Sequence, residues 1–252
     1  MHELRQIALE LTQEMLRKSG VKEWADPETR EQITLAAMEM AVALYGEQVD
    51  MTTRKILIPE FDGTPKQITF GDFAGDFSPT AANDLRHASV ADTEVQLSLA
   101  SLANSTSEST GARQSAKFDF GAVRAAMYAV RCALELGATP TAGAVIELWL
   151  APSQHATAGT GNTGNASGSD AAYSGYSSNI SASLKHCQYL GDFVCTGQAT
   201  ATVQVGGAGR FTPRERYGSL IVFNKSGAAF HSDDVESHIV FDPIFDQAQS
   251  EA

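Results

Sequence analysis

Charge is what this chain is short of. Only 19% of its 252 residues are Asp, Glu, Lys or Arg, against roughly 25% in ordinary soluble domains. Basic residues are the scarcer kind: 18 Lys and Arg stand against 30 Asp and Glu, a formal net charge of -12. Binding to nucleic acid needs clustered Lys and Arg that displace phosphate counterions. No such cluster occurs, so no nucleic-acid partner is expected. Long apolar runs are missing as well. Stretches such as Ala144 to Pro152 fall far short of the roughly 20 residues of a membrane-spanning helix, and no membrane span is expected. Residues 2 to 18 mix Glu, Arg, Gln and Lys with apolar positions and lack the apolar core and cleavage site of a secretory signal. The expectation is a soluble chain made in the cytosol. Cysteine is sparse too. Cys132, Cys187 and Cys195 are odd in number and lack CxxC spacing, so they read as reduced thiols, although Cys187 and Cys195 could bridge a hairpin.

What is present falls into two regimes of periodicity. Leu4, Ile7, Ala8, Leu11 and Met15 recur at helical spacing, with Arg17 and Lys18 in the last turn and a stop at Ser19-Gly20. A second helix opens on Asp26 as N-cap with Pro27 at the first helical position. Its stripe is Ile33, Ala37, Met40 and Leu44, and it ends at Gly46. Two such helices cannot bury their stripes alone, so residues 1–50 form an arm that packs on the rest of the chain or docks on another.

From Thr53 onward the period is two. Strands are predicted at Arg54 to Pro59, Lys66 to Phe70, Thr93 to Leu99, Lys117 to Phe120, Ala126 to Leu136, Val145 to Leu150, Tyr189 to Thr196, Thr200 to Val205, Ser219 to Asn224 and Ser237 to Phe241. In the strongest of them Tyr128, Val130, Cys132, Leu134 and Leu136 alternate with Arg131 and Glu135. This strand and Val145 to Leu150, joined across Gly137 to Gly143, are expected to pair as antiparallel neighbours. Short strands between Gly-rich turns, with no helical pattern among them, argue for a mainly β fold. The expected form is an antiparallel β-sandwich, jelly-roll-like, over residues 51–252 behind the N-terminal α-helical segment. Residues 151–179 read as a long Gly, Ser and Tyr rich loop, and long ordered loops are often functional.

Catalysis needs a nucleophile, a base and an orienting group, or a metal shell. The six histidines are scattered. The nearest approach to a ligand set is His231, Asp233, Asp234, Glu236 and His238, in which residues 234, 236 and 238 would share one strand face. A solvated turn leading into a strand explains the same residues better. The runs Gly159 to Gly168 and Gly206 to Gly209 lack the Lys-Ser/Thr ending and following helix of a phosphate cradle, and read as turns. No catalytic residue, metal ligand or cofactor is therefore assigned. The candidate contacts for a partner or a surface glycan are Trp149, on the odd face of its strand, Tyr173 and Tyr176 in the long loop, and the locally basic segment Arg210, Arg214, Arg216 and Tyr217.

The segments Arg113 to Phe120 (RQSAKFDF), Arg124 to Pro152 (RAAMYAVRCALELGATPTAGAVIELWLAP), Ala158 to Ser178 (AGTGNTGNASGSDAAYSGYSS) and Thr212 to His231 (TPRERYGSLIVFNKSGAAFH) resemble a family of uncharacterised tailed-bacteriophage virion proteins. The resemblance covers about the C-terminal two thirds of the chain and rests on running similarity. It implies a β-sandwich structural protein of the particle, in a head decoration, head fibre, collar or tail role, with no catalytic or metal residues to carry over. Expected partners are capsid, portal or neck, and tail components together with further copies of the chain, a trimer among the arrangements open. The expected place is the virion, assembled in the host cytoplasm. The runner-up is a carbohydrate-binding or host-adhesion module.

Overall fold

The computed structural model describes residues 65–87 and 92–244. The predicted helices of residues 1–50, with Leu4, Ile7, Leu11, Met15, Ile33, Met40 and Leu44, and the predicted strand Arg54 to Pro59 lie outside the described residues. The chain divides into two units, Met1–Phe61 and Asp62–Ala252, and the described residues all belong to the second.

The strands are β1 (Gln67–Gly71), β2 (Asp92–Gln96), β3 (Ala112–Gln114), β4 (Phe118–Asp119), β5 (Met127–Leu134), β6 (Val145–Ser153), β7 (Ala171–Ala172), β8 (Gln188–Val194), β9 (Gln204–Phe211), β10 (Tyr217–Lys225) and β11 (His238–Ile244). A short helix, α1 (Ile180–Leu184), and a 3-10 turn at Thr163–Asn165 interrupt them. A five-stranded sheet runs β2-β1-β11-β5-β9, and a six-stranded sheet runs β7-β3-β10-β6-β8 with β4 also on β10. The pairings are antiparallel except for β1 with β2. The mainly β expectation therefore holds.

Alternation decides which side chains meet between the sheets, because successive residues of a strand point to opposite faces. Tyr128, Val130, Cys132 and Leu134 of β5 and Ile239 and Phe241 of β11 share a core with Ile146, Leu148 and Leu150 of β6 and Leu220 and Val222 of β10. At one end of that core Phe70, Phe118, Phe120, Tyr128, Phe211 and Phe241 form a cluster whose ring centroids lie 4.7 to 6.5 Å apart. Edge-to-face pairs prevail in it, as the ring quadrupole favours. The thiols of Cys132 and Cys195 are buried, Cys187 is half-buried, and all three are free. Burial pushes the Cys187 and Cys195 thiols up to about 11.

Three expectations need correction. β5 and β6 are not paired: β5 lies between β11 and β9, while β6 lies between β10 and β8 in the other sheet. Their connection passes from one sheet to the other at the surface, residues 137–139 and 141–143 being exposed, instead of turning a hairpin. The strand expected at Thr200 to Val205 begins only at Gln204 and continues to Phe211, so Gly206 to Gly209 is strand rather than turn. Glycine is tolerated there because β8 crosses β9 at that point. A Cβ on Gly191 would collide with the carbonyl of Ala208, and one on Gly209 with the carbonyl of Leu190.

Residues 151–179 are the third correction. β6 continues through Ser153, and the rest of the segment folds back over the outer face of the six-stranded sheet. Ala166, Tyr173, Ile180 and Leu184 pack there on Ala112, Ala151, Ile221 and Phe223. β7 adds to β3 through the register Arg113↔Ala172 and Gln114↔Ala171. Asn179 caps α1, its side chain accepting from the Ala182 amide at 2.9 Å. The outer face of the other sheet carries a smaller apolar cluster of Leu85, Ala133 and Val240, with Val203 against it.

Candidate functional site

The polar and aromatic residues singled out from sequence fall in separate places. Trp149 does lie on the outer face of β6, but it is half-buried at the rim of the cluster formed by the folded-back segment. Its indole Nε1 donates to Glu147 Oε2 at 3.1 Å, and Glu147 Oε1 takes the Lys225 ammonium at 2.6 Å. The Lys225 ammonium also stands 4.5 Å over the Phe223 ring. Trp149 is thus a fixed part of the wall. The accessible ring beside it is Tyr189, its cross-strand partner on β8, 47% exposed and 4.8 Å away centroid to centroid. Partial burial, with Asp192 and Glu147 nearby, holds the Tyr189 hydroxyl protonated well above the usual phenol range. Sequence reasoning passes over Tyr189, although its register opposite an outward Trp is the available signal.

Tyr173 is not a surface contact. It is 2% exposed, its hydroxyl donates to the Gly164 carbonyl, and its amide donates to the Ala112 carbonyl at 2.9 Å. Tyr176, by contrast, is 51% exposed and stands edge-on to His186 at 6.1 Å. Arg210, Arg214 and Arg216 are exposed. Arg216 forks onto Asp119, Nε at 2.9 Å and Nη2 at 2.8 Å, and its guanidinium lies 5.2 Å over the Tyr217 ring. The Arg216 hydrogen bond holds the Asp119 carboxyl below its ordinary range.

Residues 231–237 turn into a strand that begins at His238, the reading preferred from sequence, so residues 234, 236 and 238 do not share a strand face. His238 is buried, its Nε2 accepting from the Leu85 amide at 3.0 Å and its Nδ1 meeting the Glu236 carbonyl at 2.8 Å. Glu236 instead receives the Thr80 amide at 3.1 Å and Asn83 Nδ2 at 3.2 Å. Asp234 is buried and takes three donors on Oδ2: Ser98 Oγ at 3.0 Å, the Leu99 amide at 2.8 Å and the Ala100 amide at 3.1 Å. Its neighbours are Asp72 and Asp76, which bring one carboxylate oxygen each to within 4.8 Å of its own. Three oxygens of this kind suit a hard divalent cation, although a calcium ion takes about six to eight. Asp72 is also engaged by the Gln96 amide group.

A different cation-like arrangement is filled by the chain itself. The Lys117 ammonium sits among Ser153 Oγ at 3.0 Å and the carbonyls of His155, Thr157 and Thr160 at 3.0, 2.7 and 2.8 Å. Partial burial lowers its pKa. This ties the first part of the folded-back segment to the end of β6. No family model matches the chain, and neither a curated protein nor a solved structure does.

Proposed function

We propose that the chain is a non-enzymatic structural protein of a tailed-bacteriophage virion, attached to the capsid or neck and displaying a jelly-roll β-sandwich in a decoration, fibre or collar role. The observation that carries the reading is the strand order. β1-β11-β5-β9 in one sheet against β3-β10-β6-β8 in the other is the order that a jelly roll's wrapped hairpins produce, a fold recurrent in viral capsid and lectin domains. β2 and β7 are then additions at the edges, and the crossing from β5 to β6 is a jelly-roll connection between sheets.

The resemblance to virion proteins supports the same setting. The non-enzymatic part is supported by how the titratable side chains are used. His238, Glu236, Asp234 and Lys117 each hold a loop through backbone groups, whereas a general base or nucleophile must be left to face a substrate. In this reading residues 1–50, with their two apolar stripes, are the docking arm, and the partners are capsid, portal or neck, or tail components. Mass spectrometry of purified particles of the encoding phage should find the chain in stoichiometric amount. Its absence from infectious particles would sink the reading.

A carbohydrate-binding role is the second reading, favoured by the half-exposed Tyr189 ring beside Asp192 and Glu147. An exposed aromatic face with flanking carboxylates is the pairing that stacks on a sugar ring and takes its hydroxyls. A glycan array should show binding that Tyr189→Ala abolishes. Binding that survives this substitution would assign the contact elsewhere.

A further inference from the structure

Like charges that stand directly opposite each other on two paired strands repel. β6 and β8 hold such a pair on the outer face of the six-stranded sheet: Glu147 is opposite Asp192, and two residues further along β6 Trp149 is opposite Tyr189. The register slips between Leu148 and Trp149, and irregularities of this kind re-aim side chains and collect beside functional sites. Two carboxylates and two rings therefore share one patch.

The two carboxylates are not equally answered. Glu147 takes the Lys225 ammonium at 2.6 Å on one oxygen and the Trp149 indole at 3.1 Å on the other. Asp192 has no ion-pair partner among the described residues, and its Oδ1 is enclosed there without a hydrogen-bond donor. The Tyr189 ring is 47% exposed and meets the Trp149 ring at 56°, centroids 4.8 Å apart, so the two form a corner and not a stack. Burial first, then Asp192 and Glu147, push the pKa of the Tyr189 hydroxyl upward. The field at this ring is negative.

The geometry points to an organic ammonium group, as an amino sugar carries, as the ligand of this patch, with the Tyr189 face against the cation and the Asp192 carboxylate taking its N–H groups. Three effects favour a cation over a neutral hydroxyl. An aromatic face attracts positive charge through its quadrupole. A hydrogen bond between an ammonium and a carboxylate is roughly twice as strong as a neutral one. A cation also offsets the repulsion between Glu147 and Asp192, which a hydroxyl does not. The inference rests on the carbohydrate reading of the same ring and names the group by which that ring sorts sugars.

Isothermal titration calorimetry of the full chain tests it with a glucosamine tetramer, the same tetramer N-acetylated, and butylammonium. The free-amine tetramer should bind about tenfold tighter than the acetylated one. Asp192→Asn, which keeps the shape of the side chain, should remove that preference while the acetylated tetramer binds as before. Tyr189→Leu, at an exposed ring, should weaken both tetramers and serves as the second variant where Asp192→Asn alters the near-ultraviolet circular dichroism. Glu94→Gln takes the same charge from the other sheet and should keep the preference. Equal affinity of the native chain for the two tetramers overturns the inference, and the carbohydrate reading then stands only if Tyr189→Leu weakens both. No binding of any of the three probes overturns both. A preference for the free amine that survives Asp192→Asn and Tyr189→Leu places the ammonium elsewhere and overturns the inference. Butylammonium bound as tightly as the free-amine tetramer, and lost in Tyr189→Leu, upholds the ammonium and overturns the carbohydrate reading.

Discussion

At Tyr173 and His238 one side chain fixes a whole segment. Tyr173 sits under the folded-back connection with its hydroxyl on the Gly164 carbonyl, so Tyr173→Phe keeps the ring and strands a buried acceptor. The expected loss is about 1 to 3 kcal/mol in urea unfolding. A variant within a few tenths of a kcal/mol of the native chain would show that the hydroxyl adds nothing. His238 works through its tautomer. Because Nε2 accepts from Leu85, the proton lies on Nδ1 and is donated to the Glu236 carbonyl. A second proton would confront the Leu85 N–H. Burial accordingly lowers the His238 pKa below 6.5, against smaller raising effects from the Glu236 carbonyl and from Asp84 and Glu236, with Arg86 adding to the fall. As pH falls below about 6.5 the unfolded chain takes this proton before the folded one, so stability is full above that pH and declines toward the folded pKa. The slope is at most about 1.4 kcal/mol per pH unit for one proton. His238→Gln, which keeps an acceptor for Leu85, should lose less stability than the native chain between pH 7.5 and 5.5. Equal losses would assign the acid sensitivity to carboxylates. The turn before β11 and a strand start at Ser237, one residue from the observed start at His238, are legible in the sequence, but the partners that hold the turn, Leu85, Thr80 and Ser98, come from distant segments of the chain that spacing cannot name.

At the scale of elements, alternation tells which face of a strand is buried but not which strand lies beside it. It names the inward residues of β5 and still gives that strand the wrong neighbour, because a period of two is blind to pairing. The covered outer face of the six-stranded sheet does leave a mark. Leu220, Ile221, Val222 and Phe223 run apolar without alternation, the signature of a strand buried on both faces. The Gly and Ser content of residues 151–179 points the other way, toward solvent. What holds that connection is polar: the Lys117 ammonium at its start and the Arg113 to Asp170 ion pair at 2.7 Å beside β7. Lys117→Met should therefore speed amide exchange and protease cleavage across residues 153–160, at a stability cost on the order of 2 kcal/mol, while the core of β5 and β11 keeps its protection. Uniform exchange changes across both sheets would mean that Lys117 supports the whole fold. The crossing of β8 over β9 makes a sharper demand, since Gly191 has a φ of +138° and faces a backbone carbonyl. Gly191→Ala should cost about 2 kcal/mol or more, read from the urea midpoint. A shift within error would mean that the two strands part without cost.

For the whole molecule, the division at Phe61–Asp62 gives the place to test whether the fold and the proposed assembly draw on different residues. Among the described residues, the shared core between the two sheets draws on residues from Ile68 to Phe241. A chain beginning at Asp62 should fold with the near-ultraviolet circular dichroism of the full protein and unfold within a few degrees of it. If residues 1–50 are the docking arm, as proposed from the two apolar stripes of their sequence, the same truncation should remove the protein from purified particles without harming its solubility or its fold. The measurements separate cleanly. Loss of the fold on truncation would make the first unit part of the sandwich's stability, and the arm reading would fall. Retention of the truncated chain on particles in normal amount would move attachment onto the sandwich itself. The exposed Arg210 and Arg214 and the half-exposed Tyr176 and Tyr189 would then be the first residues to substitute.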